Sequence, residues 1–190
     1  CPSCGQPLPV RLPACRKCLY IQRVPDDSDF YDIFDQLSSP NPFRVDPSKL
    51  KLRFRDIQRH VHPDVWSPYG EQKVEAARDL SGLVNKAYNT LLSPVSRIEY
   101  ILSRHGLDVA ETDQVDDPEL LMEILEAREG LQDASSQQQV DNIRQENAER
   151  VKDVVEELEQ LVDTQDWERA RQAAVRLKYL QGIEDAAKAW

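Results

Sequence analysis

The chain has 190 residues, 40% of them hydrophobic, and a formal net charge of -10, a composition that suits one large or two small folded domains. Residues 1–110 carry 15 basic and 13 acidic side chains, whereas residues 111–190 carry 9 and 21. The acidic second half argues against a nucleic-acid partner, and no apolar run approaches the roughly 20 residues that span a bilayer.

All four cysteines lie within the first 18 residues, as two Cys-x-x-Cys pairs separated by ten residues. This spacing lets four thiolates converge tetrahedrally on one metal ion. Gly5 permits a tight turn that directs N–H groups at sulfur, and Arg16 and Lys17 can offset the thiolate charge. Residues 1–24 therefore predict a small, loop-built unit around a structural zinc ion. Its predicted ligands are Cys1, Cys4, Cys15 and Cys18.

Other interpretations of the cysteines stay open. They could form two disulfides or a redox-active Cys-x-x-Cys pair, although the strand-helix setting of a thioredoxin is not evident. A single iron ion also takes four thiolates, so the spacing does not distinguish it from zinc. A thiol oxidoreductase is accordingly an alternative function.

Helical periodicity begins after an acidic connector. Apolar residues recur at helical spacing from Phe30 to Leu37 and predict a short first helix. Asp46 and Pro47 are suited to the N-cap and first position of a second helix, whose apolar stripe ends at Val61. Three basic residues follow one another at i, i+4 on a neighbouring face of this helix. They are Lys51, Arg55 and Arg59.

The triplet His62-Pro63-Asp64 ends the second helix, because a proline disfavours the helical conformation in the residue before it. The segment as far as Gly70 is polar and rich in proline and glycine, so we expect a loop rather than a helix. The basic stripe leads into this loop and forms with it one surface for an acidic partner. A plain helix end and a solvated charged face are the simpler alternatives. An acid-base pair or a histidine metal site would need groups that this segment lacks.

A third helix and a short apolar stretch complete this part of the chain. The stripe from Ala77 to Leu91 has helical spacing, and residues 96–102 are expected to fold back on it. His105-Gly106 is a suitable helix stop. These patterns predict a small helical domain over residues 28–105.

Residues 112–190 predict an antiparallel three-helix bundle behind an acidic linker. Asp117 and Pro118 repeat the cap-and-proline start for its first helix. Apolar residues of the second helix fall at near-heptad spacing from Val140 to Leu161, and those of the third extend from Trp167 to Ile183.

The first bundle helix carries more apolar residues than one core face needs. It is either sandwiched between its neighbours or leaves an apolar patch exposed for a partner. Acidic residues border the surplus apolar ones, and a lysine-tyrosine pair lies off the stripe of the last helix. The candidate patch consists of Leu121, Met122, Leu125, Glu126, Glu129, Lys178 and Tyr179.

The triplet between two helices, with a basic stripe leading into it, resembles the J-domain. J-domains dock on an ATP-driven heat-shock chaperone of the DnaK class and trigger its ATP hydrolysis. Many J-domains carry lysine directly after the triplet, so Val65 departs from the J-domain pattern at this position. The chaperone-binding residues that the resemblance implies are Lys51, Arg55, Arg59, His62, Pro63 and Asp64.

Further blocks, in order and spacing, are similar to the HscB family of J-protein co-chaperones in iron-sulfur cluster biogenesis. The resemblance covers roughly residues 28–190. Its blocks are Gln58–Asp64, Asn85–Tyr88, Ser93–Pro94, Arg97–Tyr100, Leu121–Glu129 and Arg176–Leu180.

This resemblance implies an all-α protein, not an enzyme, whose bundle patch binds the IscU-type scaffold and delivers it to the chaperone. It also favours an exposed patch over a sandwiched helix. The tetracysteine unit is similar to that of eukaryotic members, which implies the mitochondrial matrix, although no targeting segment is present to read. A J-protein for a different client is the alternative.

Overall fold

A computed structural model of the chain describes residues 1–25, 27–34, 40–110 and 118–190. The described residues are mainly helical, which confirms the predicted all-α class. They divide into two compact units, Cys1–Ser96 and Arg97–Trp190. Within the described ranges, no helix combines the length and apolarity needed to cross a membrane.

The amino-terminal segment contains a short antiparallel ribbon where the sequence predicts loops alone. Strand β1 (Ala14–Cys15) pairs with β2 (Tyr20–Ile21), and Ala14 lies opposite Ile21. Strands of two residues are too short to give a periodic signal, so sequence analysis could not find them.

The first unit builds its helical part around two long helices. Asp46 caps one of them as predicted, because its carboxylate accepts hydrogen bonds from the N–H groups of Ser48 and Lys49. The predicted continuation of the first helix to Leu37 lies outside the described residues. In chain order the helices are α1 (Phe30–Ile33), α2 (Pro47–Val61), α3 (Pro63–Trp66) and α4 (Glu71–Leu92), and α5 (Pro94–Arg104) continues into the second unit.

The segment after α2 is more helical than its composition suggests. Helix α2 ends at Val61 as expected, and His62 has φ -59° and ψ 134°, outside the helical region. Pro63 then occupies the first position of α3, and a 3-10 turn follows at Ser67–Tyr69. The expectation of a non-helical loop is therefore wrong. Proline is well suited to a first helical position, and burial of Trp66 stabilises the turn that follows it.

Helices α2 and α4 pack together through apolar side chains and one polar bridge. The Gln58 side chain donates to Oδ1 of Asn85 at 2.9 Å and accepts from the Ser81 hydroxyl at 2.9 Å. The rings of Phe54 and Tyr88 stack with their centroids 4.3 Å apart. Because both ends of the amide of Gln58 are bonded, the bridge fixes the register of the two helices. Their buried apolar residues include Leu50, Ile57, Val61, Ala77, Leu80 and Val84.

The second unit contains the three predicted bundle helices, α6 (Pro118–Asp133), α7 (Gln137–Asp163) and α8 (Trp167–Ala189). The predicted N-cap Asp117 lies outside the described residues. Helix α8 packs against both α6 and α7 and is buried on several sides. Helices α6 and α7 also pack against each other, so each bundle helix contacts the other two. The buried residues of α8 include Ala170, Ala173, Ala174, Val175, Leu177, Leu180 and Ile183.

The end of α5 runs antiparallel to α8 within the second unit. The Glu99 carboxylate lies 3.7 Å from the Lys178 ammonium, and the His105 ring stacks on Trp167 with centroids 3.9 Å apart. Gly106 follows with φ 74°, the left-handed conformation of the predicted helix stop. The second unit thus includes part of α5 beside the three bundle helices.

Polar contacts align α7 with α8. Arg144 donates two hydrogen bonds to the Glu184 carboxylate, at 3.1 and 2.6 Å. These bonds lower the pKa of Glu184 below its ordinary value. Asn147 is buried between the helices and donates to the Leu180 carbonyl at 3.0 Å. A helix shifted by one turn would leave the buried amide of Asn147 without this partner and would separate Arg144 from Glu184, so these contacts favour a single register.

Trp66→Ala should lower the free energy of unfolding of the first unit by about 3–5 kcal/mol, because it leaves a large cavity under the triplet. Leu52→Ala is the matched control, since Leu52 is 68% exposed on α2 and should change stability by less than about 0.5 kcal/mol. Urea unfolding followed by circular dichroism measures both. Equal, small effects would contradict the buried position of Trp66.

Candidate functional sites

The four cysteines converge at one point near the amino terminus. Their sulfur atoms all lie within 4.8 Å of one another. Cys1 and Cys18 have their Sγ atoms 3.6 Å apart, and those of Cys4 and Cys15 are 3.8 Å apart. A tetrahedral centre with metal-sulfur bonds of about 2.3 Å has sulfur atoms about 3.8 Å apart, so the arrangement is compatible with one metal ion. All four are free thiols rather than disulfides.

The two Cys-x-x-Cys turns have the same backbone shape. Gly5 and Leu19 each follow the second cysteine of a pair, and their φ angles are 68° and 59°. The glycine at the first turn suits this left-handed conformation, as the sequence predicts. The second turn places a leucine there, at a steric cost of about 1–2 kcal/mol, and no sequence signal indicates it.

Hydrogen bonds from the backbone tune the thiols unequally. The N–H of Cys18, helped by that of Lys17, lowers the pKa of the Cys15 thiol from 9.0 to about 7. The N–H of Gln6 acts in the same direction on Cys4, but neighbouring thiols and burial raise the pKa of Cys4 above its ordinary value. Adjacent thiols resist joint ionisation unless a cation is present. The donor set therefore suits a metal cation, whose charge would remove this repulsion.

The triplet predicted to bind a chaperone lies at the surface, and a buried side chain beneath it holds its backbone in place. The Asp64 N–H donates to Nδ1 of His62 at 3.3 Å, so the imidazole caps α3. The side chains of His62 and Asp64 are 50% and 90% exposed. Beneath them the Trp66 indole donates to the His60 carbonyl at 2.9 Å. A protein partner can therefore reach the triplet in one well-defined conformation.

The predicted basic stripe is exposed along α2 and leads to this triplet. Within the part of the chain that the structure describes, no ion pair joins Lys51, Arg55 or Arg59 to an acidic residue. Unpaired cations keep their charge available to an acidic partner. A shallow depression beside the stripe is lined by Phe54, Arg55, Gln58, Arg59, His62 and Val65.

Helix α6 divides its apolar residues between the core and the surface. Ile124 and Leu131 are 3% and 5% exposed and face the core. Leu121, Met122 and Leu125 are 37%, 60% and 53% exposed. The helix is therefore not sandwiched, and an apolar patch is accessible on it. The bordering acidic residues Glu126 and Glu129 are exposed as well.

The two α8 residues of the predicted patch are less accessible. The Lys178 side chain is 40% exposed, and its ammonium is paired with Glu99 of α5. Tyr179 is half-buried. Sequence analysis could not predict the ion pair with Glu99, because partners so far apart in the chain leave no periodic signal. Any partner that contacts Lys178 must share it with Glu99.

Comparisons with known proteins agree on one family. The family model of the HSCB C-terminal oligomerisation domain matches residues 116–188. The human iron-sulfur cluster co-chaperone protein HscB is 33% identical over 192 residues, covering 99% of this chain and 80% of the human protein. The co-chaperone protein HscB of Proteus mirabilis is 31% identical over 159 residues, covering 81% of this chain and 92% of that protein.

A solved structure is also similar throughout. The crystal structure of human co-chaperone protein HscB superimposes with a TM-score of 0.83 at 32% identity. The similarity covers 100% of this chain and 96% of the human chain. The likeness therefore extends over both compact units.

Serine at both Leu121 and Leu125 should lower the free energy of unfolding by no more than about 1–2 kcal/mol, because these residues are already 37% and 53% exposed. Ile124→Ser on the same helix should cost about 2–5 kcal/mol, since it empties a core position and buries a hydroxyl. Guanidinium unfolding curves of the two variants compare surface with core. A large loss in the Leu121/Leu125 variant would show that the patch belongs to the core.

Proposed function

This chain belongs to the HscB family of iron-sulfur cluster co-chaperones, and from that premise we propose that it joins an IscU-type scaffold to a DnaK-class chaperone. In this role the first unit stimulates the chaperone's ATPase, and the second unit holds the scaffold that carries the cluster. The observation that carries the proposal is the pairing of an exposed basic surface on one unit, which no acidic residue within the described ranges neutralises, with an exposed apolar patch on the other.

The chaperone surface consists of α2 and the triplet that ends it. Positive charge along α2 attracts an acidic partner and accelerates the encounter, while the triplet supplies directional contacts. His62 accepts the Asp64 N–H at Nδ1 and so caps α3, and the Asp64 carboxylate, 3.5 Å from that nitrogen, is 90% exposed at the surface. The bridge from Gln58 to α4 and the buried Trp66 keep these groups in place, so little conformational entropy is lost on docking.

The scaffold surface consists of the α6 patch and its charged border. Leu121, Met122 and Leu125 offer apolar area whose removal from water favours association. Met122 is the most exposed of the three, and its flexible thioether can adapt to the partner's shape. Glu126 and Glu129 extend from the same helix and select a partner with complementary cations. Removing this apolar area should therefore weaken scaffold binding without altering the chaperone surface.

This role assigns no catalytic step to the chain itself. Hydrolysis of ATP belongs to the chaperone, and the cluster is cargo of the scaffold. The chain contributes binding energy at two separate surfaces, so that a chaperone stimulated by the triplet receives the scaffold at high effective concentration. A J-protein that serves a different client would share the first surface and lack affinity for the scaffold.

For the cysteines we propose structural zinc held by four thiolates. Zinc cross-links the two turns and neutralises their charge, and folding of such a short segment is coupled to metal binding. The match to the human relative spans nearly the whole chain, whereas that to the Proteus mirabilis protein leaves about a fifth of it uncovered. This pattern supports a eukaryotic type with a tetracysteine unit and hence a mitochondrial location.

Single-turnover ATP hydrolysis by a mitochondrial DnaK-class chaperone tests the adaptor role. The chain and an IscU-type scaffold together should stimulate hydrolysis more than the sum of their separate effects. His62→Gln should abolish the stimulation, because it removes the imidazole from the docking surface. Serine at both Leu121 and Leu125 should abolish only the synergy, because the chaperone surface is untouched.

Calorimetry provides the cross-control for these variants. His62→Gln should bind the scaffold with the affinity of the unaltered chain, whereas the Leu121/Leu125 serine variant should lose about tenfold or more, given the apolar area that it removes. If the chain stimulated ATP hydrolysis equally with and without the scaffold, it would instead be a J-protein for another client.

The purified chain should contain one zinc ion and should not reduce insulin in the presence of dithiothreitol, because all four thiolates are engaged by the metal. Cys15→Ser should lose the ion. Metal analysis by mass spectrometry and the insulin turbidity assay check both statements. Iron in place of zinc would overturn the metal assignment, and sustained turnover would favour the thiol oxidoreductase.

A further inference from the structure

Two arginines connect the tetracysteine segment, residues 1–24, to the helices of its unit. Arg11 lies 3.4 Å from the Asp32 carboxylate on α1. Arg23 lies 3.0 Å from Glu75 and also pairs with Asp79, and these two acidic residues are one turn apart on α4. The segment is thus fastened to two different helices, at points on either side of its second Cys-x-x-Cys turn.

Apolar burial supports the same attachment. Leu12, Ala14 and Cys15 are between 1% and 4% exposed, yet a segment of 24 residues is far too short to bury a core by itself. Strand β2, which pairs with the cysteine-bearing strand β1, packs against α4. The conformation of the metal-binding turns therefore depends on α4 as well as on the metal.

We propose that metal occupancy of the tetracysteine site and the packing of α1 and α4 are thermodynamically linked through the contacts of Arg11 and Arg23. The helices hold the turns in the metal-binding conformation, and the metal in turn holds the segment against the helices. This inference rests on the proposed zinc site. It assigns the segment the role of an intramolecular clamp on the helices that support the chaperone surface.

The linkage reaches the triplet through α4. Helix α4 packs against α2 and α3, and α3 contains Pro63 and Asp64. Coupling between two equilibria is reciprocal, so any amount by which the metal stabilises the helices equals the amount by which the helices tighten metal binding. The groups around Arg23 are partly exposed, so we expect a moderate effect of about threefold to tenfold.

Zinc release from the full, zinc-loaded chain tests the linkage at residues far from the ligands. Neutralising the acidic partners with Glu75→Gln and Asp79→Asn should speed zinc transfer to a chromophoric chelator by about threefold to tenfold. Asp56→Asn is the control, because Asp56 pairs at 4.0 Å with Arg53 on its own helix α2 and this pair involves no residue of the tetracysteine segment. The control should release zinc at the rate of the unaltered chain.

A charge exchange identifies the pairing directly. Arg23→Asp should release zinc faster, and adding Asp79→Arg should restore much of the slow release, because the exchanged charges can pair again. The effect of the metal on the helices is measured by thermal unfolding. Stripping zinc from the unaltered chain should lower the Tm of the first unit, and this difference in Tm should shrink in the Glu75/Asp79 variant.

The outcomes separate the clamp from the zinc assignment. A chain that binds zinc but releases it at one rate in all variants overturns the clamp and leaves the zinc site standing. A chain that binds no zinc overturns both. Faster release in the Asp56→Asn control, equal to that of the Glu75/Asp79 variant, would also overturn the clamp, since the effect would then reflect surface charge in general.

Discussion

A proline directly after His62 prevents α2 from continuing, and the proposed chaperone surface depends on that break. The chain leaves α2 at His62 and starts α3 at once, so the imidazole lies where it can cap the new helix. Trp66 is buried beneath this turn, and its indole N–H donates a hydrogen bond to the His60 carbonyl, which stabilises the turn. The triplet is both exposed and rigid, because Pro63 and Asp64 form the first turn of α3 and His62, although not helical itself, caps that turn.

A second constraint is the small size of the amino-terminal segment. Twenty-four residues with a ribbon of two-residue strands cannot supply a hydrophobic core, so their order must come from the proposed metal site and from neighbouring helices. The thiol pKa values reflect the same need: N–H groups favour ionisation of Cys15, while crowding opposes that of Cys4. The spacing of the four sulfurs, all within 4.8 Å of one another, is compatible with a metal cation between them.

Exposed positive charge lies on the first unit and an exposed apolar patch lies on the second, a division that suits the proposed adaptor role. The first unit presents cations on α2 that no described acidic residue neutralises, whereas the second carries the acidic excess of the chain. In the second unit, α6 has one face in the core, with Ile124 and Leu131, and another face in water, with Met122 and Leu125. The apolar patch on α6 therefore lies on a face of this helix that the bundle core leaves exposed.

Local signals in the sequence determined the helices, the cap at Asp46, the stop at Gly106 and the grouping of cysteines, because periodicity, capping and spacing act over a few residues. They also indicated the triplet and the basic stripe as candidates for chaperone binding, and that role stays a prediction. They were wrong about the turn at Pro63–Trp66, since burial of one tryptophan outweighed a polar composition. Only the tertiary structure decided that Leu121, Met122 and Leu125 are exposed, that Lys178 pairs with Glu99, and that Arg23 reaches α4. Each of these depends on which helices become neighbours, and partners distant in the chain leave no trace in a local pattern.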